Sequence, residues 1–289
     1  MESPSPGREP GDMTENLKQE TVLVTAASGK TGHRVAERLA ALGRNVRAGS
    51  RKGAVRFDWE DESSWGPALA GADAAYVAYY PDLAAPGAPD AMRAFGRVAA
   101  ASGVGRLVLL SGRGEPEAVV AEHALRDSGV DLTVVRASFF MQNFSEGALY
   151  EGVLTGEIPF PGGATPEPFL HADDLADVLV AALTDEGHVG LVHELTGPRL
   201  LTFDEVATEI GRATGSEVRY IPVPGDEYAE MLQQFGFPAT DSEWLAELFT
   251  TLLDGHNASR TIGVRSVLGR EPKDFTAFAR EAAESGAWR

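Results

Sequence analysis

The stretch of residues 21–32, TVLVTAASGKTG, has the residue types of a loop that holds a nucleotide pyrophosphate. An apolar run leads into a turn of small residues, read as Ala-x-x-Gly-x-x-Gly, and a helical pattern follows. Small residues let the backbone approach the phosphates, and a helix N-terminus offers free N–H groups and the positive end of its dipole. The spacing therefore predicts a dinucleotide site. The residues expected to contact the cofactor in this loop are Ala26, Ser28, Gly29, Lys30, Thr31 and Gly32.

Two details of the loop depart from common patterns. Ala26 occupies the usual place of the first glycine, and alanine resists the positive φ that glycine adopts readily. Gly29-Lys30-Thr31 imitates the end of a P-loop, but the position five residues before Gly29 holds Val24, inside the predicted strand. An NTPase loop is therefore rejected, and Lys30 is interpreted as a helix-start residue near phosphate.

Hydroxyl and basic side chains follow the second predicted strand, about 20 residues after the glycine turn. An acidic residue here would bind the ribose 2′-hydroxyl of NAD, but this chain has Ser50, Arg51 and Lys52. A guanidinium can form two parallel bonds to a 2′-phosphate, and a serine hydroxyl can donate another. Ser50 and Arg51 are therefore interpreted as selecting NADP(H), with a solvated basic turn as the alternative.

Polar and aromatic residues also follow the next three strand candidates, at the edge of the sheet where ligands bind. Asp58 and Trp59 are expected to bind and cover the adenine, or alternatively to cap a strand and pack. Tyr79 is a candidate contact for the nicotinamide ribose and Tyr80 a candidate proton donor, with surface packing as the alternative for both. Ser111 is a candidate hydrogen-bond partner for a substrate oxygen, and a turn role is its alternative.

The segment FFMQNF at 139–144 places two polar residues in an apolar run. Such a segment can line a flat, aromatic pocket, although ordinary core packing is the alternative for each phenylalanine. Phe140 is expected to contact the cofactor. The residues expected to contact an aromatic substrate are Phe139, Gln142, Asn143 and Phe169.

The sequence indicates the proton donor less clearly than the cofactor-binding residues. His171 is a catalytic candidate because imidazole can deliver a proton near neutral pH, with a structural role as the alternative. Many short-chain dehydrogenases instead pair a tyrosine with a lysine four residues later, but none of the lysines here has that spacing. The lysines are Lys18, Lys30, Lys52 and Lys273. No Glu/His spacing predicts a metal site.

The 289-residue chain has 25 Lys and Arg residues against 43 Asp and Glu residues, a formal net charge of −18. This charge repels phosphate backbones, so binding to nucleic acid or to an anionic membrane is disfavoured. The absence of cysteine excludes disulfides and thiol catalysis and fits a reducing cytoplasm. No apolar run reaches the ~20 residues of a membrane span. Residues 1–20 are expected to be a flexible extension and lack the apolar core of a signal peptide.

Short apolar runs alternate with helical patterns from residue 21 onward. Strand candidates lie at 21–25, 45–49, 54–57, 74–78, 106–111 and 132–136, with helix candidates at 30–42, 63–70, 88–102 and 115–128. This alternation predicts an α/β fold with a doubly wound parallel sheet of the Rossmann type, whose dinucleotide-binding domain spans 21–150. Residues 151–289 are expected to form a smaller, mostly helical substrate-binding part, with the chain returning to extend the sheet near 165–196. Further helices are expected near 172–184, 202–213, 225–235, 241–254 and 273–283, and strands near 191–195 and 218–222.

Together these features resemble the NmrA-like branch of the atypical short-chain dehydrogenase/reductase superfamily. The resemblance covers about residues 21–215 and rests on VLVTAASGKTG, VRAGSR at 46–51, SGVDLTVVR at 128–136, FFMQNF and FLHADDLA at 169–176. It implies a Rossmann domain, NADP(H) binding and no Tyr-Lys catalytic pair. The family includes reductases of quinones and other aromatic compounds, and also non-catalytic sensors. Ala137 departs from the pattern, because a proline is usual after the arginine.

The leading hypothesis is an NADPH-dependent reductase that transfers hydride to a quinone or a similar conjugated small molecule. Quinones accept hydride readily because the charge spreads over the ring, which fits the missing Tyr-Lys pair. The alternative is a non-catalytic NADP(H)-binding redox sensor that acts through a protein partner and exposes an apolar patch on its C-terminal helices. An isomerase or epimerase is disfavoured because the sequence shows no acid/base pair, and a homodimer is compatible with each hypothesis.

Overall fold

Nine strands and twelve helices lie within residues 19–289, which are the residues that the computed structural model describes. Residues 1–18 of the expected N-terminal extension lie outside the described residues. The strands are β1 (Thr21–Val24), β2 (Asn45–Ser50), β3 (Val55–Arg56), β4 (Ala74–Val77), β5 (Arg106–Gly112), β6 (Asp131–Ala137), β7 (Glu157–Phe160), β8 (Val192–Leu195) and β9 (Arg219–Pro222). The helices are α1 (Gly32–Ala41), α2 (Trp65–Leu69), α3 (Ala88–Ala101), α4 (Pro116–Arg126), α5 (Asn143–Glu146), α6 (Tyr150–Thr155), α7 (Ala172–Thr184), α8 (Phe203–Thr214), α9 (Gly225–Gln234), α10 (Ala239–Leu252), α11 (Gly263–Leu268) and α12 (Phe275–Ser285).

Seven strands form one parallel sheet in the order β3-β2-β1-β4-β5-β6-β8. The predicted α/β fold with a doubly wound parallel sheet is confirmed by this topology. The strand order reverses between β1 and β4, and in such sheets the crevice at the carboxyl ends of the strands binds ligands. β7 and β9 pair with each other in a separate, two-stranded parallel sheet.

Helices cover both faces of the large sheet. On one face α2, α3 and α4 pack over buried residues such as Leu23 and Leu107. On the other face α1, α7 and α11 pack over residues such as Val22 and Val108. Because both faces are buried, the central strands are continuous apolar runs rather than alternating patterns. The residues that follow these strands are therefore held on a well-packed base.

A second, aromatic core holds the C-terminal part together. The rings of Phe139, Phe144, Phe169, Phe203 and Phe275 contact one another edge-on or tilted, with centroids 5.3–6.5 Å apart. Each such pair stabilises a core by about 0.5–1.5 kcal/mol beyond its buried area. This core fixes the segment after β6 against α8 and α12.

Four elements were not expected from the sequence: β7, α5, α6 and α11. β7 contains Pro159 and is followed directly by Pro161-Gly162-Gly163, residues that are rare in strands. A two-stranded sheet tolerates proline because each strand has an outer edge that needs no donor. The three helices span only four to six residues, too few for a helical period to show in the sequence. No helix within residues 19–289 has both the length and the apolar character needed to cross a membrane.

Candidate functional site

The loop between β1 and α1 has the close backbone packing that a phosphate site requires. Ala26 adopts a left-handed conformation with φ +49°, and its carbonyl oxygen accepts a 2.8 Å hydrogen bond from the Gly29 N–H. A Cβ on Gly32 would overlap that carbonyl and lie 2.7 Å from its carbon. No side chain caps the N-terminus of α1. The uncapped N–H groups and the small residues fit a pyrophosphate at this place.

Replacing Ala26 with glycine is expected to stabilise the protein. A left-handed conformation costs an L-residue roughly 1–2 kcal/mol, and the extra chain entropy of glycine offsets part of that gain. We expect Ala26→Gly to raise the free energy of unfolding in urea by about 1 kcal/mol. The control Ala27→Gly, without a positive φ to relieve, should lower it. A lower stability of Ala26→Gly would contradict a strained loop.

At the end of β2, Arg51 is exposed and lies beside the exposed ring of Tyr80, with its guanidinium carbon 5.6 Å from the ring centroid. Ser50 ends β2 directly before it. Tyr80 was expected near the reacting centre as a proton donor. The structure instead places it with Arg51, at the end of the crevice predicted to hold the adenosine 2′-phosphate.

Trp59 makes the contacts of a packing residue, which was the alternative to a role in adenine binding. Its indole N–H donates to the carbonyl oxygen of Ala78 at 2.9 Å, and its ring packs edge-on against Tyr79 at 5.1 Å. The backbone N–H of Asp58 donates to the hydroxyl of Ser64 at 3.0 Å. The contact of Asp58 and Trp59 with adenine stays a prediction.

A cavity of about 240 Å³ lies at the carboxyl ends of β4, β5 and β6, closed on one side by α10. We call it the strand-end cavity. Its lining residues are Tyr79, Pro81, Asp82, Leu83, Leu110, Ser111, Gly112, Glu115, Ala137, Ser138, Phe139, Phe140, Asn143, Leu248, Phe249 and Leu252. Five residues singled out from the sequence meet here, namely Tyr79, Ser111, Phe139, Phe140 and Asn143. Tyr80, Gln142, Phe169 and His171 are not part of this lining.

Lys30 connects the phosphate loop to this cavity. Its ammonium group donates a hydrogen bond to the Asn143 side-chain oxygen and lies 5.9 Å from the centroid of the Phe140 ring. Burial lowers the pKa of Lys30 to about 8, against the opposing effect of Glu146. The ammonium therefore points across the crevice toward the segment after β6.

The hydroxyl of Ser111 is engaged in a buried charge network. It donates to Glu122 at 2.6 Å, and the fully buried Glu122 pairs with Arg136 at 2.7 Å. Ser111 and Arg136 lie opposite each other on β5 and β6. A substrate bond to this hydroxyl, as expected from the sequence, would compete with its bond to a buried carboxylate.

His171 caps α7 and is buried. Its Nδ1 accepts from the Asp173 N–H at 3.1 Å, and its Nε2 lies 3.0 Å from the side-chain nitrogen of Gln142. The Gln142 oxygen accepts from the Ala172 N–H at 2.8 Å. Burial lowers the pKa of His171 to about 4, despite the opposing charge of Asp173. His171 is thus neutral at pH 7, and with Gln142 it secures α7, away from the strand-end cavity. Phe169 lies in the aromatic core.

The lowered pKa of His171 predicts an acid-dependent loss of stability. The folded-state pKa of about 4 lies below the unfolded value of 6.5, so the unfolded chain binds the proton more tightly. Stability is therefore complete above pH 6.5 and falls as the pH drops toward 4, by up to about 3 kcal/mol. In His171→Asn, which retains a capping side chain, this component should be missing from urea unfolding curves. Equal pH profiles for both proteins would contradict a buried, neutral His171.

Two acidic residues of the strand-end cavity were not singled out from the sequence. Asp82 follows β4 closely, and its carboxylate accepts from the Ala84 N–H at 2.8 Å. Glu115 follows β5 closely and is buried. A Cβ on Gly112 would overlap the Glu115 carboxyl, so the absence of a side chain at Gly112 leaves room for Glu115. Their position shortly after β4 and β5 was the signal in the sequence that could have identified them. The tyrosines and the serine near the same strand ends were considered instead. Within residues 19–289 no group of three or more His, Asp or Glu side chains is arranged to hold a metal ion.

Comparison with known proteins gives consistent matches. A model described as the NmrA-like family matches residues 119–278. The uncharacterized oxidoreductase YesF of Bacillus subtilis is 33% identical over 284 residues, which span 94% of this chain and 98% of that protein.

Solved structures share the fold at lower identity. One is the NADPH-dependent quinone oxidoreductase QOR2 from Escherichia coli complexed with NADPH, with a TM-score of 0.72, 20% identity, and coverage of 90% of this chain and 99% of that chain. Another is triphenylmethane reductase from Citrobacter sp., from a structural study of triphenylmethane dye bioremediation, with a TM-score of 0.72, 19% identity, and coverage of 92% and 99%.

Proposed function

Because the chain belongs to the NmrA-like family, we propose that it is an NADPH-dependent reductase that transfers hydride to a quinone or a similar conjugated small molecule. The strand-end cavity carries this proposal. It has aromatic walls and lies at the carboxyl ends of the central strands, and the hydrogen bond between Lys30 and Asn143 connects it to the phosphate loop. The names of YesF, QOR2 and triphenylmethane reductase support reductase chemistry.

The crevice offers a place for each part of the cofactor. The N-terminus of α1 would hold the pyrophosphate, and Ser50 and Arg51 would hold the 2′-phosphate. The nicotinamide would then reach the strand-end cavity, where Tyr79 and Phe140 would orient the ring and exclude water. The bound cofactor supplies a hydride from C4 of its nicotinamide.

The walls of the strand-end cavity favour a flat acceptor. Phe139, Phe249 and Leu248 present apolar surface to it, and Asn143 is among the polar groups of its lining. A conjugated ring can stack against such walls, and its extended π-system stabilises the charge that arrives with the hydride. Hydride transfer to a quinone therefore needs less help from a strong acid than reduction of an isolated carbonyl.

Steady-state kinetics test this function. Purified protein should oxidise NADPH faster when a quinone is present, and should oxidise NADH much more slowly under the same conditions. A panel of quinones and enones covers the substrate class. No acceptor-dependent turnover across the panel would overturn the proposal.

The alternative is a redox sensor that binds NADP(H) and acts through a protein partner. Phe235 and Phe237, which are exposed in the turn between α9 and α10, favour it. A sensor would bind NADPH tightly without oxidising it. Calorimetry and turnover measured on one preparation therefore distinguish the two functions.

A further inference from the structure

We propose that Glu115, paired with Asp82, is the proton donor to the substrate in the strand-end cavity. This inference rests on the proposed reductase function and adds the acid that the sequence does not show. The two carboxyl groups come from the loops after β4 and β5, and both line the cavity in which the substrate would lie.

Glu115 also lines a second cavity. This space of about 470 Å³ lies between the N-termini of α3 and α4 and one side of α10, and we call it the α10 cavity. Its walls are mostly apolar and include Val120 and Trp244. Leu248 and Leu252 line both cavities together with Glu115. The carboxyl group thus stands where the two spaces meet, so a ligand with a reactive ring in the strand-end cavity and an apolar substituent in the α10 cavity would pass beside it.

The surroundings of Glu115 favour a protonated carboxyl group. The Oε2 atom of Glu115 is buried and receives no hydrogen bond from a protein donor within residues 19–289. The Asp82 carboxyl lines the same cavity and is close enough to raise the pKa of the Glu115 carboxyl. Two ionised carboxylates that share one wall repel each other, and a buried carboxylate without a donor is costly, so protonation of one of the two groups is favoured. We therefore expect one of the two carboxyl groups at the wall of the cavity to carry a proton.

Burial and nearby acidic groups favour the protonated form of Glu115. Burial raises the pKa of Glu115 to about 9, and the charge of Asp82 acts in the same direction. Glu117 and Glu122 on α4 add smaller effects of the same sign.

The neighbouring cations are engaged elsewhere. Arg113 donates to the Asn257 carbonyl and the Ser259 hydroxyl, and His256 contacts Asp254 and the carbonyl of Gly114. Among the salt bridges of Arg113 and Arg136 there is none to Glu115 in the described part of the chain. From α10, the charged group that faces this region is Glu247, another acid.

The chemistry balances with one hydride and one proton. A quinone that accepts the hydride becomes a hydroquinone anion, and the nicotinamide becomes oxidised. The O–H bond of Glu115 then breaks while a new O–H bond forms on the anion, giving the neutral hydroquinone. The Glu115 carboxylate recovers a proton from solvent, with Asp82 beside it to share that proton. General acids of this kind contribute about 10²–10⁴-fold to a rate.

The test compares Glu115→Gln on two acceptors. Glutamine keeps the shape of the side chain but has no acidic proton. With a quinone, kcat should fall about 10²–10⁴-fold. A cationic triphenylmethane dye takes a hydride and becomes neutral without a proton, so its reduction should stay within about twofold of the wild-type rate. The control Glu186→Gln, an exposed residue after α7, should leave both rates unchanged. Equal effects of Glu115→Gln on both acceptors would overturn the proposal.

A second readout needs no turnover. In ¹³C NMR of the free protein, the Glu115 carboxyl signal, assigned by its loss in Glu115→Gln, should titrate well above neutral pH. Asp82→Asn removes the neighbouring charge and should lower the pKa at which the Glu115 signal titrates. This variant also tests the proposal if Glu115→Gln does not fold. A Glu115 signal that titrates in the usual acidic range would overturn the proton-donor role while leaving the reductase function intact. Wild-type protein that reduces neither acceptor would overturn the function as well.

Discussion

Gly32→Ala is expected to weaken NADPH binding by about 100-fold, because hydrogen bonds to a charged group contribute about 1.5–3 kcal/mol each and each 1.4 kcal/mol corresponds to about tenfold in affinity. The added Cβ would lie 2.7 Å from the carbonyl carbon of Ala26 and 3.0 Å from the Cα of Ala27. These atoms belong to the backbone, so no side-chain rotation can relieve the overlap. The phosphate loop must move away from the N-terminus of α1. Overpacking of this kind also lowers the free energy of unfolding by about 1–3 kcal/mol.

The matched control is Gly66→Ala. Gly66 lies in α2, and a Cβ there would meet Val98 at an ordinary 4.0 Å. Calorimetric titration with NADPH, together with urea unfolding, should show normal binding and stability for this variant. Wild-type affinity in Gly32→Ala would mean that the loop does not hold the pyrophosphate.

Arg51→Gln is expected to weaken NADPH binding by about 10–100-fold while leaving NADH binding unchanged. A hydrogen bond to a charged group contributes about 1.5–3 kcal/mol, and each 1.4 kcal/mol corresponds to about tenfold in affinity. Arg51 is exposed, lies beside the Tyr80 ring and forms no ion pair with the residues that the structure describes. Its loss should therefore affect ligand binding far more than folding.

The control for this variant is Arg56→Gln. Arg56 is also an exposed arginine near the end of the crevice, but it pairs with Asp61 at 2.8 Å. Calorimetry with both nucleotides should give the wild-type preference for NADPH in this control. Equal weakening of NADPH and NADH in Arg51→Gln would contradict a 2′-phosphate at residue 51.

The sheet could be predicted because its signal is local. Runs such as Leu107–Leu110 are apolar on both faces, and the patterns between them have helical periods. The parallel direction of each strand, and its place next to the others, follow from general rules on how consecutive elements are connected. The two-stranded sheet of β7 and β9 could not be predicted in the same way, because Glu157 pairs with Arg219, 62 residues later.

The reacting groups could not be identified fully, because their roles depend on distant partners. Ser111 was a candidate from its place at the end of β5, but Glu122 and Arg136 determine what its hydroxyl does. His171 was a candidate from its intrinsic pKa, but Phe278, over 100 residues later, helps to bury it. Such contacts leave no pattern in a single sequence.

Asp82 and Glu115 were missed in the sequence for the same reason, because their role also depends on distant partners. Asp82 and Glu115 are separated by 33 positions, and each alone is an ordinary charged residue near a turn. Only folding brings them to one wall and withdraws them from water, which changes their acidity. The isomerase hypothesis was disfavoured because no acid/base pair was visible, and the pair of carboxyl groups in the strand-end cavity removes that particular objection.

A crystal structure of the protein with NADPH tests the central claim most directly. We expect the 2′-phosphate to lie against Arg51, the pyrophosphate at the N-terminus of α1, and C4 of the nicotinamide open to the strand-end cavity on the side of Glu115. A nicotinamide bound outside this cavity, or an adenine bound within it, would contradict the proposed cofactor site.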